Sequence, residues 1–306
     1  ADREADPQTL PFTPGSLDPP PSLELVELSF AASHNFVWHI LPVAEIDNER
    51  GLLRTAVPAG YPLRRTHRGL SDPDAQRIGL ENVPAGLTAP GTWWLDTTGN
   101  RLWLWPRTGD VPAGIEAPAL TELIRIEGDA DGGEVAHHIC LDGLTLCRGE
   151  RMVMRTDRVS LQHDWEWQDE ANALLRLRGA EEVVVRNCRF RDSGGTGVRL
   201  DLHAQGNRIE NNALHDLGAT GILLDGHGPG TRDVNRRNTI ARNHLYRVAR
   251  LFRACSGIFI SGSSDNRICD NLLHDMPYAA IVLSGPRTFL FDPDDARRAY
   301  EGGRTI

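Results

Sequence analysis

Three stretches of this chain can be written over one another. They are NRIENNALHDLGATGILLDG, NTIARNHLYR with a later SGIFISG, and NRICDNLLHDMPYAAIVLSG. Each reads Asn-x-Ile-x2-Asn-x-Leu, a small turn, then Gly-Ile-x-Leu or a close variant. The anchors are Asn207/Ile209/Asn212/Leu214, Asn238/Ile240/Asn243/Leu245 and Asn266/Ile268/Asn271/Leu273. A weaker earlier copy carries Cys188 and Phe190 where the later ones have Asn and Leu. Asp192, Asp216, Arg247 and Asp275 share one register position, so the steps are 24, 31 and 28 residues.

A repeat of this length built from very short apolar runs predicts a stacked solenoid. The runs are too short and too rich in Val and Ile for helices, and Gly or Asn closes each one. Alternation aims Val198 and Leu200, Ile222 and Leu224, Ile258 and Ile260, and Ile281 and Leu283 at the interior. Asn at a fixed corner fits a left-handed turn residue whose amide bonds the Asn of the next coil. The fold class read from the chain is all-β: a right-handed parallel β-helix over residues 119–306, with its C-terminal end expected to be truncated because GGRTI shows no cap.

The N-terminal third is patterned differently. Residues 1–22 are proline-rich and polar, which predicts a linker or arm. Residues 23–118 carry longer strands of antiparallel type (LELVEL, FVWHILPVAEI, GLLRTAVPA), read as a β-sandwich-like domain. TWWLDTTGNRLWLWP is a β-hairpin around Asp96–Asn100. Its tryptophans invite a sugar-stacking role, but aromatic alternation across a hairpin points first to core packing. In the first coils, Leu141, Leu144 and Leu146 are expected to point inward.

Composition excludes several classes. A net charge of −9, from 33 basic and 42 acidic residues, and no basic run interleaved with aromatics argue against a nucleic-acid partner. No apolar segment approaches membrane-spanning length. Five cysteines with no C-x2-C pair argue against zinc and against a disulfide framework, and Cys188 reads as buried packing. No signal peptide or initiator Met opens the sequence, which fits a mature form or a fragment of a longer chain. Ser-His-Asp order, Walker loop, H-E-x-x-H and dinucleotide fingerprint are all missing.

A β-helix has no interior pocket, so chemistry must sit on an outer face. The Gly-Ile-x-Leu strands stack Asp201, Asp225, Ser261 and Ser284 in one column. Asp201 and Asp225 are one coil apart, which separates their backbones by about 4.8 Å. Two carboxylates at that range repel, and one is expected to titrate high. Retaining glycosidases use such a pair at roughly 5–5.5 Å, as nucleophile and acid/base. The competing reading makes both of them solvated corner aspartates. His203 and His227 recur after each Asp, and a lengthened glycine-rich loop precedes Asp233, features that resemble a site wall. Arg250 and Phe252, on an inserted segment, are candidates to line a subsite. Trp165 and Trp167, in the long segment that interrupts the repeat, offer aromatic faces beside carboxylates. His215-Asp216 and His274-Asp275 repeat with the coil and read as structural corners.

The run GGTGVRLDLHAQGNRIENN…GILLDGHGPGTRDVNRRNTI…GIFISGSSDNRICDNLLHDMPYAAIVLSG resembles bacterial right-handed β-helix proteins related to glycoside hydrolase families 120 and 141, which include β-xylosidases, α-L-fucosidases and xylanase-like hydrolases. The resemblance spans roughly residues 25–285. It implies a secreted or periplasmic carbohydrate-degrading enzyme. It also implies that Asp201, in its Leu-Asp-x-x-x-Gln-Gly-like context, is the nucleophile. The partner acid precedes a His-Gly-Pro element in that family. Here Asp225 stands where a Glu is the rule, which leaves Asp225 and Asp233 as candidate acid/bases. The expected catalytic set is therefore Asp201, Asp225 and Asp233, acting on a carbohydrate, with no cofactor or metal, in a monomer.

Two alternatives stay open. A polysaccharide lyase of the same fold would need a base and Ca²⁺ held by clustered acids such as Asp201, Asp225 and Asp233, with Arg199 nearby. A carbohydrate-binding solenoid would bind without turnover. Fold alone does not choose among these.

Overall fold

The structure, a computed structural model, describes residues 6–31, 38–59, 63, 78–109, 112–153, 169–227 and 232–284. Among them the regular elements are strands and one 3₁₀ turn, Pro84–Gly86. No helix there is long and apolar enough to cross a membrane. The chain divides into two compact units, Ala1–Glu116 with Val153–Asp164, and Ala117–Met152 with Trp165–Ile306.

The first unit holds a five-stranded antiparallel sheet in the order Thr9–Pro11, Leu52–Thr55, Trp38–Asp47, Glu27–Ala31, Ile78–Glu81. Leu28, Leu41 and Leu53 form its interior with Val26, Phe30 and Ile40. The proline-rich arm is not wholly a linker. Thr9–Pro11 pairs with Leu52–Thr55 as an edge strand, where Pro11 costs no ladder bond on the outer side. Trp93–Asp96 and Arg101–Leu104 form the expected hairpin. Its tryptophans overturn the core-packing expectation: Trp93, Trp103 and Trp105 are 59%, 48% and 47% exposed. The hairpin is a sheet of two strands, so Trp94 and Trp103 pack chiefly on each other, with ring centroids 6.4 Å apart.

The second unit is a parallel β-helix of three sheets. The first sheet stacks Ile124–Glu127, Ala173–Glu181, Thr196–Gln205, Ile222–Asp225, Ile258–Ser261 and Ile281–Ser284, with Ala136–His137 and Asn235–Arg236 pairing to its longer strands. The second stacks Cys140–Asp142, Val184–Arg186, Arg208–Glu210, Thr239–Ala241 and Arg267–Cys269. The third stacks Thr145–Cys147, Arg189–Ser193, Ala213–Leu217, His244–Tyr246 and Leu272–His274. In the second and third sheets the pairings between coils are parallel and in register with the sequence repeat. Val198, Leu200, Ile222, Leu224 and Ile258 are fully buried, each stabilising by roughly 1.5–3 kcal/mol. The pattern relaxes at the ends. Leu144, expected inside, is exposed, and Ile281 and Leu283 in the last described coil are 44% and 75% exposed.

Two asparagine ladders define the corners. Asn207 Nδ2 donates to Asn238 Oδ1 at 3.0 Å and Asn238 Nδ2 to Asn266 Oδ1 at 3.2 Å. In the second ladder Asn212 donates to Asn243, and Asn243 to Asn271, both at 3.0 Å. Each amide also donates to a carbonyl of the preceding coil, as Asn243 does to Ile209 O. The left-handed residue is the one before each ladder Asn (Gly206, Asn211, Arg237, Arg242, Asp265, Asp270), not the ladder Asn itself. Cys188 takes the ladder position one coil earlier, buried, its N–H donating to Asn212 Oδ1. All five cysteines are free thiols. Asp192, Asp216, Arg247 and Asp275 share a positive φ of 49–54°, the second corner of the coil. The glycine of Gly-Ile-x-Leu has its own cause. A Cβ on Gly197 or Gly221 would meet the next coil's carbonyl at 2.7 or 2.6 Å, so only glycine allows the coils to stack there.

Candidate active site

Alternation along the first sheet sends two columns of side chains outward. One runs Arg125, Arg176, Arg199, Leu223, Phe259, Val282. The other runs Glu127, Arg178, Asp201, Asp225, Ser261, Ser284. Asp201 and Asp225 are therefore register neighbours on adjacent coils. Both are buried, as are Arg176 and Arg199.

Charge compensation explains how this burial is tolerated. Arg176 donates to Asp201 Oδ2 through Nε at 3.0 Å and Nη2 at 2.6 Å. Arg199 Nη2 donates to Asp201 Oδ1 at 3.1 Å and to Asp225 Oδ2 at 3.2 Å. Arg199 Nε lies 3.0 Å from Asp201 Oδ2, an ion-pair distance without hydrogen-bond alignment. Arg199 Nη1 donates to Asn172 Oδ1. The two aspartates are thus tied by one guanidinium, which offsets the repulsion between them. Burial opposes the Arg199 charge, yet Asp201 and Asp225 raise its affinity for the proton above that of an ordinary guanidinium.

Asp169 extends the network. Its N–H donates to Asp201 Oδ1, and its carboxylate accepts from Arg176 and Arg178. Burial alone would raise its titration, but Arg178 and then Arg176 hold it below the usual carboxylate range. Arg178 also reaches Glu127 Oε1 at 3.0 Å.

At the end of these strands lies a solvent-open cleft lined by Asp129, Asp131, Arg178, His203, His227 and Arg232 among others. A bulge makes it. Between Arg178 and Ala180 the register with the next coil slips by one residue, with Gly179 and Leu202 both at positive φ. The extra residue swings the chain outward and sets His203 Nε2 at 2.7 Å from Glu181 Oε1. Arg232 pairs with Asp131 across the cleft. Burial, then the Arg232 charge, pushes His227 below its ordinary value, while Asp131, Asp201 and Asp169 pull the other way.

The expected site residues separate into three groups. Asp201 and Asp225 come together, with His203 and His227 at the adjoining cleft. Asp233 stands apart: its carboxylate accepts from Arg236 Nη1 at 3.0 Å and from Ser264 Oγ at 2.5 Å. Arg250 and Phe252 sit at the opposite end of the strands, on the segment that leads into Ile258 and packs on the Leu217–Gly218 turn of the preceding coil. Arg250 pairs with Asp216, and Phe252 is buried with its N–H on Gly218 O. Trp165 and Trp167 lie outside the described residues. Sequence reasoning missed Arg176, Arg178 and Asp169. Arg176 and Arg178 hold the same two register positions as Arg199 and Asp201, a signal hidden by the long interruption before their coil.

The profile of the right-handed β-helix region matches residues 137–246 and 169–293, together just over half of the chain. The chain belongs to the right-handed β-helix family. A solved structure named as a glycoside hydrolase superposes on this β-helix protein with a TM-score of 0.66 and 18% identity, over 85% of this chain and 51% of its own. Likeness at that identity shows the fold alone, and the chain spans about half the length of that protein. No curated protein matches the chain.

Proposed function

We infer that this β-helix protein is a glycoside hydrolase of the kind related to families 120 and 141, acting on a plant or bacterial polysaccharide or oligosaccharide. The observation that carries the reading is the Asp201–Asp225 pair: two carboxylates in one register position on adjacent coils, both within 3.2 Å of one Arg199 nitrogen. Their contacting oxygens are therefore closer than twice that distance, a bound that admits retention at roughly 5–5.5 Å and disfavours most of the inverting range. In this mechanism Asp201, held by Arg176 and Arg199, attacks the anomeric carbon. Asp225 protonates the leaving oxygen and then takes a proton from the water that releases the sugar. The ring approaches from the cleft, where His203 and His227 offer partners for its hydroxyls. Asp233, bonded to Ser264 and Arg236, is assigned a loop-holding role instead of the acid. The protein acts as a secreted or periplasmic monomer without a cofactor.

A second reading is favoured by the complete burial of Asp201: a carbohydrate-binding solenoid in which the ionic columns only hold the coils. A screen of aryl-glycosides and plant polysaccharides with wild type, Asp201→Asn and Asp225→Asn decides between them. Hydrolysis by wild type with a loss of roughly 10²–10⁴-fold in each variant is expected, with the anomer of the product retained. Binding that persists without turnover in all three proteins supports the solenoid. Products absorbing as unsaturated uronates, lost with EDTA, mean a Ca²⁺-assisted lyase instead.

A further inference from the structure

The outer face of the third sheet carries an imidazole cluster that the proposed reaction does not use. His215, Tyr246 and His274 hold one register position on three successive coils. Their rings stack, with centroids 4.8 Å apart for His215–Tyr246 and 5.3 Å for Tyr246–His274. His244, two residues before Tyr246 on the same strand, turns its ring to His274, and the two Nε2 atoms lie 2.8 Å apart. His274 Nδ1 is 2.9 Å from Asp275 Oδ2.

These contacts decide where the lone pairs are. An ionised carboxylate only accepts, so Asp275 keeps the proton of neutral His274 on Nδ1 and leaves Nε2 as a bare donor atom. This is the carboxylate–histidine arrangement that orients a metal-binding imidazole. The stack against Tyr246 fixes the His274 ring plane, and His274 is exposed on the coil exterior with His244 half-buried beside it.

We propose that His244 and His274 form a two-histidine site for a divalent transition-metal ion, with Asp275 as the orienting carboxylate. Two nitrogens bound at about 2.05 Å in a cis, right-angled geometry stand about 2.9 Å apart, whereas tetrahedral binding spreads them to about 3.3 Å. The observed 2.8 Å is the distance of a hydrogen bond from His244 Nε2–H to His274 Nε2, so an ion that replaces that proton needs little movement of either ring, and by affinity order Cu²⁺ and Ni²⁺ are the ions to try first. Among the described residues no group of three His, Cys, Asp or Glu side chains could hold a metal, so water completes the coordination. Because His244 and His274 sit on adjacent coils, a bound ion pins one coil to the next.

The test is titration of untagged, EDTA-dialysed protein with Cu²⁺ and separately Ni²⁺, followed by calorimetry, by the visible ligand-field absorption and by the thermal midpoint. Wild type is expected to bind and to melt higher with the metal. His274→Asn and His244→Asn each lose one equivalent of the metal and the rise in midpoint. Asp275→Asn keeps both histidines and weakens binding by about 10–100-fold. His137 and His138, a second imidazole pair in the first coil with Nδ1 atoms 2.7 Å apart, supply the control. His137→Asn is expected to keep the equivalent that His274→Asn loses. Full stoichiometry in both His244→Asn and His274→Asn, or a wild type that binds neither ion, overturns the proposal. All three exposed-face variants are expected to retain the wild-type circular dichroism spectrum, and a variant that loses it is replaced by the corresponding Gln.

Discussion

Two kinds of polar column climb this solenoid, and they obey different rules. The asparagine ladders repeat the same residue on coil after coil, because an amide donates on one side and accepts on the other. A column of like charges repeats only where its neighbours compensate it, as carboxylates do for Arg125, Arg176 and Arg199. From Glu127 to Arg178 to Asp201 the sign alternates, and at Asp225 the alternation breaks. A guanidinium from the parallel column, Arg199, bridges the break. A repeated amide is what stacking alone asks for. A repeated carboxylate is not, and that makes the Asp201–Asp225 step the place where chemistry is expected.

The comparison can be broken most sharply at Arg199. Arg199→Met leaves two buried carboxylates facing each other, and a loss of about 3–5 kcal/mol in urea unfolding is expected. Adding Asp225→Asn to that variant restores part of the loss, because one of the opposed charges is gone. If Arg199→Met alone is neutral, the carboxylates are not held as charges and the contrast with the amide ladder disappears. A smaller effect is expected in the ladder itself. Asn243→Ala orphans the N–H of Asn212 and the carbonyl of Ile209, at a cost on the order of 1–3 kcal/mol for each orphaned group. Asn271→Ala, one coil later and only half-buried, is expected to cost less.

The smallest effect concerns pH. Burial depresses His227 in the folded protein, so the unfolded chain binds its proton more readily. Its contribution to stability is present above the unfolded value of about 6.5 and falls away as the pH drops below it. His227→Asn should flatten the decline of the thermal midpoint between about pH 7 and pH 5. An unchanged slope would mean that the imidazole is as accessible to protons folded as unfolded.

How much of this was legible beforehand depends on what each residue answers to. The Asn and Gly-Ile-x-Leu positions were readable because every coil poses the same local problem: an amide to stack beside a left-handed corner, a close carbonyl and an inward aliphatic. The Asp201–Asp225 step was readable for the same reason, as a register position 24 residues on. Arg250 and Phe252 were set beside the acids on sequence alone, but their loop enters the strand Ile258–Ser261 at its start, away from Ser261, which shares the acids' register position. The hairpin tryptophans were misjudged because alternation shows which face a side chain takes, not whether another layer covers it.

The chain on its own determined the coil, since periodic short apolar runs with fixed Asn and Gly corners admit one backbone solution repeated many times. Only the tertiary structure decided which charges meet. Arg176 and Arg178 reach Asp201 and Asp169 across coils whose spacing in sequence is irregular, and the bulge after Asp201 that opens the cleft appears only when neighbouring strands are paired. Coil geometry depends on local residue type, whereas an ion-pair network depends on which residues stacking brings within about 3 Å, and no single coil contains that information.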